Sequence, residues 1–367
     1  MNRALDSRIA NILIVVGMFV LVSGIFALTA MRHTSKPTAS HSATSPAPSP
    51  LESPLPSGSP DTNLPPIGAT VTCPAGELVS SADQLTQALG SAKPGTVIVM
   101  AAGTYAGKFV AKVSGTEQAP ITLCGPRAAV IDGGDVKMGY TFYLNAVDWW
   151  RVQGFSIQGG QKGVVTDHAH HVLIQGLFVH DIGDEAIHLR EFSTDNVVDG
   201  NVVRNTGLNN KKFGEGLYVG TANSNWCKYT SCKPDNSDRN VLHNNDIANT
   251  TAENIDIKEG TTAGVIDGNH LSGDGMVASA ATAWINVKGN AWTIVGNVGR
   301  HSIKDGFQVH RVYKGWGERN IFRGNRAEVD GPGYGYYVQS SSLATIITCD
   351  NTAVAAGRGF SNAKCSG

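Results

Sequence analysis

ENIDIKE, residues Glu253–Glu259, decides how the rest of the chain is read. Ile255 and Ile257 alternate with Asp256 and Lys258, the pattern of a short strand with one buried face. Six other heptapeptides fall under it column by column: KGVVTDH (Lys162–His168), EAIHLRE (Glu185–Glu191), EGLYVGT (Glu215–Thr221), AWINVKG (Ala283–Gly289), DGFQVHR (Asp305–Arg311) and YGYYVQS (Tyr334–Ser340). The third and fifth columns are apolar or nearly so throughout, from Val164 and Thr166 to Tyr336 and Val338. The columns between and beyond them are mostly polar. Stacked as rungs, the seven segments would present one face to a core and a polar ladder to the outside.

A second periodicity runs beside the first. Gly154, Gly176, Asn201, Asn245, Asn269, Asn297, Asn325 and Asn351 recur 22–28 residues apart, except across the interval 209–240. Leucine-rich repeats need a Leu/Asn consensus that is absent, propeller blades need a period of ~40 residues, and no helical stretch is available for βαβ units. The expected fold is all-β: a right-handed parallel β-helix of three short strands per rung. Each recurring asparagine would stack at a tight turn, satisfying backbone groups there, beside neighbours that tolerate the left-handed region. Val79–Ala92 reads as an N-terminal capping helix, with Ser81 and Gln84 as a capping box. Strand-like pieces follow at Val97–Met100, Phe109–Val113, Ile121–Cys124 and Val130–Asp132.

The sequence predicts three regions. Residues 1–32 contain the apolar run Ile9–Met31 and read as a membrane anchor or uncleaved signal segment, since ~20 apolar residues suffice to span a bilayer. Residues 33–70 are rich in Ser, Pro and Thr, a composition that cannot bury a core and reads as a disordered linker. Residues 71–367 form the β-helix; a solenoid of this length escapes the size limit on a single core because each repeat packs only on its neighbours. Six cysteines all follow the apolar run, which suggests disulfides in an oxidising compartment and an extracellular domain, surface-anchored or secreted. The economical pairing is Cys73–Cys124, Cys227–Cys232 and Cys349–Cys365, although spacing does not fix connectivity. A formal charge of −1 gives no basic excess for nucleic acid, and a monomer is expected.

The segment KPGTVIVMAAGTYAGKFVAKVSGTEQAPITLCG resembles the opening of extracellular parallel β-helix carbohydrate enzymes, the pectin-lyase-like superfamily. AENIDIKEGTTAGVIDGNHLSG, followed by AWINVKGNAWTIVGN, is similar to the heart of the chondroitinase-B and alginate-lyase family. The resemblance implies that Lys258 matches the Brønsted base, that Glu253 matches a calcium ligand, and that Lys288 stands in the column of the proton-donating arginine. The chain departs from that pattern at Thr251, where the family has an acidic residue, at Lys288 itself, and at Gly289, where the family has histidine.

Read as chemistry, the sixth column runs Asp167, Arg190, Gly220, Lys258, Lys288, His310, Gln339, and the fourth runs Val165, His188, Tyr218, Asp256, Asn286, Gln308, Tyr337. A cationic stripe beside a polar one suits an acidic polysaccharide. A lyase must remove the proton α to a uronate carboxyl group, neutralise that carboxylate and protonate the leaving oxygen. Lys258 as base and Lys288 as donor would meet these needs if two neighbouring ammonium groups depress one another's pKa; Asp256 and Glu259 could instead pair with them and raise it. His310 is the reserve for either role. His188, Arg190, Tyr218, Asp256, Asn286 and Gln308 are the expected substrate contacts. Glu185, Glu215 and Glu253 stack in the first column, where repulsion would be relieved by calcium. The insertion 209–240 reads either as decoration or as a wall on which Trp226 stacks a sugar ring. Two alternatives stand beside the lyase: a glycoside hydrolase on the same fold, which needs two carboxylates flanking the scissile bond, and a non-catalytic glycan-binding solenoid.

Overall fold

The computed structural model describes residues 71–367, so the expected anchor and linker lie outside the described residues. Within them, no helix is long and apolar enough to cross a membrane. The chain coils into three parallel sheets of eleven, nine and ten strands, each strand pairing with its counterparts one turn away. All seven aligned heptapeptides lie in sequence order in the nine-stranded sheet. Their register is the one the columns predict: Val164, Ile187, Leu217, Ile255, Ile285, Phe307 and Tyr336 are successive partners, and so are Val165, His188, Tyr218, Asp256, Asn286, Gln308 and Tyr337. The first set is fully buried and fills the coil with aliphatic side chains, giving way to stacked aromatic rings at Phe307 and Tyr336.

The asparagines form a continuous ladder. From Asn201 through Asn245, Asn269, Asn297 and Asn325 to Asn351, each side-chain amide donates to the Oδ1 of the next at 2.9 Å, and each backbone N–H donates to that same oxygen at 2.9–3.0 Å. The residue before each asparagine from Asn201 to Asn325 has positive φ, supplied by Gly200, Gly268, Gly296 and Gly324 and by Asn244. Glycine and asparagine adopt that conformation at least cost, which is why they alternate in this place. A second, shorter ladder joins Asn196 to Asn240 at 3.0 Å.

A helix spans Ala82–Ser91 and packs Leu85, Ala88 and Leu89 onto the first strands. Ser81 caps it by accepting from the N–H of Gln84 at 3.2 Å, and Gln84 reaches back to the N–H of Ser80 rather than of Ser81. Three disulfides join Cys73 to Cys124, Cys227 to Cys232 and Cys349 to Cys365, the economical pairing. They place the domain in an oxidising compartment.

Replacing Asn269 with alanine would leave the backbone and side-chain donors of Asn245 without their acceptor. A loss of about 3 kcal/mol is expected in urea unfolding. A change below about 0.5 kcal/mol would show that the ladder adds nothing to stability.

Candidate active site

Outside the nine-stranded sheet, the polar columns form a crease so covered that most of its charged groups are buried. Asp256 sits at its centre, between two lysines on adjacent rungs. Its Oδ2 lies 2.6 Å from Lys258 Nζ, and its Oδ1 is in direct contact with Lys288 Nζ. The ladder that sets this spacing continues through the backbone, where Lys258 N–H donates to Val219 and Lys288 N–H to Ile257. Lys258 is not depressed. Burial works to strip its proton, but Asp256 outweighs it and holds the ammonium well above its ordinary pKa. Burial likewise opposes ionisation of Asp256, and the two lysines overcome it. Glu259 takes no part in this pairing; it accepts from the N–H of Asn223 at 2.6 Å.

Tyr218 lies one rung below Asp256, with Lys258 Nζ 4.8 Å from its ring centroid. Burial pushes its phenol well above 10, so it stays protonated. His188 meets the edge of Tyr218 and donates from Nε2 to the carbonyl of Gly220 at 2.9 Å, which leaves Nδ1 without a hydrogen-bond partner, 3.7 Å from Glu185 Oε1. Burial, helped by Lys162 and Arg190, keeps this imidazole neutral. Gly220 leaves the sixth column open beside Lys258. With φ at +82°, and with an added Cβ only 2.5 Å from Thr261 Cγ2, it is closed to larger residues.

On the other side of the lysines, Asn286 gives its amide N–H to Glu253 at 3.2 Å and accepts from His310 Nδ1 at 2.9 Å. His310 is thus a neutral tautomer with its lone pair on Nε2. Burial, then Lys288 and Lys304, lower its pKa to about 4. Gln308 is committed to Thr282 and Asp305 through both ends of its amide. Arg190, expected to bind substrate, lines the cleft beside Tyr218 and serves there as a buried strut. It makes two hydrogen bonds to Asp167, at 2.7 and 3.0 Å, and one to the Tyr140 hydroxyl at 2.9 Å.

A cleft of about 370 Å³ opens over the rungs that carry Lys162, Glu185 and Tyr218. Both of its walls come from the long interval 209–240. Asn209, Asn210 and Phe213 stand on one side, and Asn225, Lys228 and Tyr229 on the other. Trp226 does not face the cleft. Its indole is buried, donates to the Thr221 carbonyl at 2.8 Å and packs edge-on against Tyr313, so the stacking role expected of it is not open to it. Lys162 and the Asn209–Phe213 wall were missed in the sequence; the signal for the first was its place in the column of Glu185, Glu215 and Glu253, and for the second the excess length of the interval.

No family model matches the sequence, and no curated protein does. Among solved structures, an alginate lyase from Paenibacillus sp. str. FPU-7 matches with 36% identity and a TM-score of 0.71, over 78% of this chain and 98% of that one. The chain belongs to the parallel β-helix polysaccharide lyases. A pectate lyase (15% identity, TM-score 0.50, 76% and 72% of the two chains) and a rhamnogalacturonan lyase (12%, 0.53, 78% and 87%) share the fold of this lyase. All are right-handed coils of the pectin-lyase-like superfamily.

Calcium was expected on Glu185, Glu215 and Glu253. In this lyase the carboxylates that converge, with oxygens within 4.8 Å of one another, are those of Glu215, Glu253 and Asp256. Glu185 is instead held by Lys162. Calcium takes 6–8 oxygen ligands. Here both oxygens of Asp256 face ammonium groups and Glu253 already accepts from Asn286. Of these three carboxylates, Glu215 alone has a buried oxygen, Oε2, without a hydrogen-bond partner. Burial, then Glu185 and Asp256, raise the Glu215 pKa well above the ordinary carboxylate value. The residues do not fit calcium, because Lys258 and Lys288 already supply the positive charge.

Removing the central carboxylate in Asp256→Ala would leave two buried ammonium groups facing one another, at a cost of roughly 3–5 kcal/mol. Adding Lys288→Met should recover part of that loss in thermal melts. His310 titrates near 6.5 when unfolded and at about 4 when folded, so the unfolded chain binds more protons between these values. Stability should therefore fall as pH drops through that window, and His310→Gln should flatten the slope.

Proposed function

We propose that this polysaccharide lyase acts outside the cell on an acidic glycan, a uronate polymer of the alginate class, by β-elimination centred on Lys258. The observation that carries the proposal is the convergence of two ammonium groups on one carboxylate. Lys258, Lys288 and Asp256 together retain one uncompensated positive charge beside the cleft, which suits the carboxylate of a uronate. The relative at 36% identity is an alginate lyase, which supports the same choice. The three disulfides support the compartment.

The substrate carboxylate meets the triad while both lysines are charged; when Lys258 then sheds its proton, Lys288 keeps the positive charge against which the α proton becomes acidic enough to remove. Lys258, having lost its own proton, takes this one. The electron pair forms the new double bond and the bond to the β oxygen breaks. Lys288 was expected to protonate that oxygen, but its ammonium is clasped by Asp256. The donor proposed instead is Tyr218, whose phenol is kept protonated by burial and lines the cleft beside Lys258. The resulting phenolate then recovers a proton from the Lys258 ammonium, and the pair is reset. No metal enters any step.

Lys258→Ala should lower kcat by at least about a thousandfold, and Tyr218→Phe by about a hundredfold or more. The readout is ultraviolet absorbance from the double bond in digests of alginate and other uronans. Because Lys258 must shed a proton that its surroundings hold, kcat/KM should climb with pH through the alkaline range. A chelator should leave the rate unchanged. New reducing ends without the double bond would overturn the lyase mechanism in favour of hydrolysis.

A further inference from the structure

The long rung does more than interrupt the period. The strand Leu217–Val219 sits in register between its neighbours, so the extra residues are expelled on both sides of it, one loop before and one after. The first is pinned at its neck: Thr206 Oγ1 donates to the Gly214 carbonyl at 2.6 Å, and the backbone of Asn209 donates to Gly183 at 2.7 Å. Its crest carries Phe213, half exposed and lining the cleft.

The second loop is fastened more firmly. The disulfide Cys227–Cys232 closes a short turn over the helical residues Trp226–Tyr229, and the N–H groups of Thr230 and Cys232 both donate to the Trp226 carbonyl. Tyr229 lies against the Arg190 guanidinium, 4.5 Å from its ring, and that guanidinium is itself clamped by Asp167 and Tyr140. The loop thus stands on a rigid strut with Lys228 at its cleft-facing surface.

The charges in the cleft are unevenly matched. Lys162 is paired with Glu185 and Arg190 with Asp167, whereas among the described residues Lys228 makes no ion pair. One wall therefore offers an exposed aromatic ring and the other a cation that no carboxylate holds, its ammonium resting 4.5 Å from the Tyr229 ring centroid. A uronate pyranose offers the complement, an apolar ring face and a carboxylate.

We propose that Phe213 and Lys228 form a specificity subsite for a second uronate unit of the bound chain, on the Lys162–Tyr218 side of Lys258, held in shape by the Cys227–Cys232 clip. This rests on the reading of the substrate as a uronate polymer. Preorganisation of both loops means that little ordering cost is met when the sugar enters.

The test compares wild type with Lys228→Ala, Lys228→Glu, Phe213→Ala and the double variant Cys227→Ser/Cys232→Ser on oligouronates of increasing length. Lys228→Ala should raise KM about tenfold on chains long enough to reach the subsite, with Lys228→Glu worse, a small change in kcat and no effect on the shortest cleavable oligomer. The serine pair should raise KM in the same length-dependent way while the melting profile of the coil persists. Equal KM for Lys228→Ala and wild type at every length would overturn the subsite. Calorimetric binding of a long oligouronate to the same proteins separates this failure from that of the lyase reading. Weaker binding by Lys228→Ala supports the subsite even if no unsaturated product ever forms, and unchanged binding sinks it.

Discussion

Register in the nine-stranded sheet is the constraint from which everything else follows. A parallel coil of three-residue strands has few hydrogen bonds per rung with which to fix its phase, and a slip of one residue would turn every outward side chain into the core. The asparagine ladder supplies the missing specification. Each amide reads both the backbone and the side chain of the rung beside it, so a displaced rung would strand several buried donors at once. With the phase held, residues thirty positions apart in sequence arrive side by side, and Asp256 meets Lys258 and Lys288.

That meeting alters the electrostatic logic of the crease. A row of like charges on adjacent rungs would repel. One carboxylate shared between two ammonium groups turns repulsion into a buried, net-positive triad, and burial beside other carboxylates pushes Glu215 below it towards its neutral form. Positive potential is thereby concentrated where a uronate carboxylate would lie, with the phenol of Tyr218 against it. The neutral imidazoles of His188 and His310 flank the triad without adding charge of their own.

Much of this was legible in the sequence because it is periodic. Alternation at Ile255 and Ile257 gave the buried face, the recurrence of Asn245, Asn269 and Asn297 gave the coil, and six cysteines paired along the chain in the economical way. What was hidden depends on direction and on partners, which spacing does not encode. Nothing in the sequence says that Lys162 claims Glu185, that the Trp226 indole turns inward to a carbonyl, or that Arg190 is spent on Asp167. The shorter ladder at Asn196 and Asn240 was also invisible, because two rungs are too few to show a period.

A coil in which each turn touches only the turns above and below it confines the effect of any insertion to its immediate neighbours. Both flanking loops of the cleft emerge from one such turn, while the triad is completed by the next two. Grip on the polymer is therefore written on one storey of the building and the paired lysines on the two above it, with Tyr218 at the join. Lengthening, exchanging or deleting the ornament of the lower storey could redirect which polysaccharide is admitted and leave those lysines where they stand.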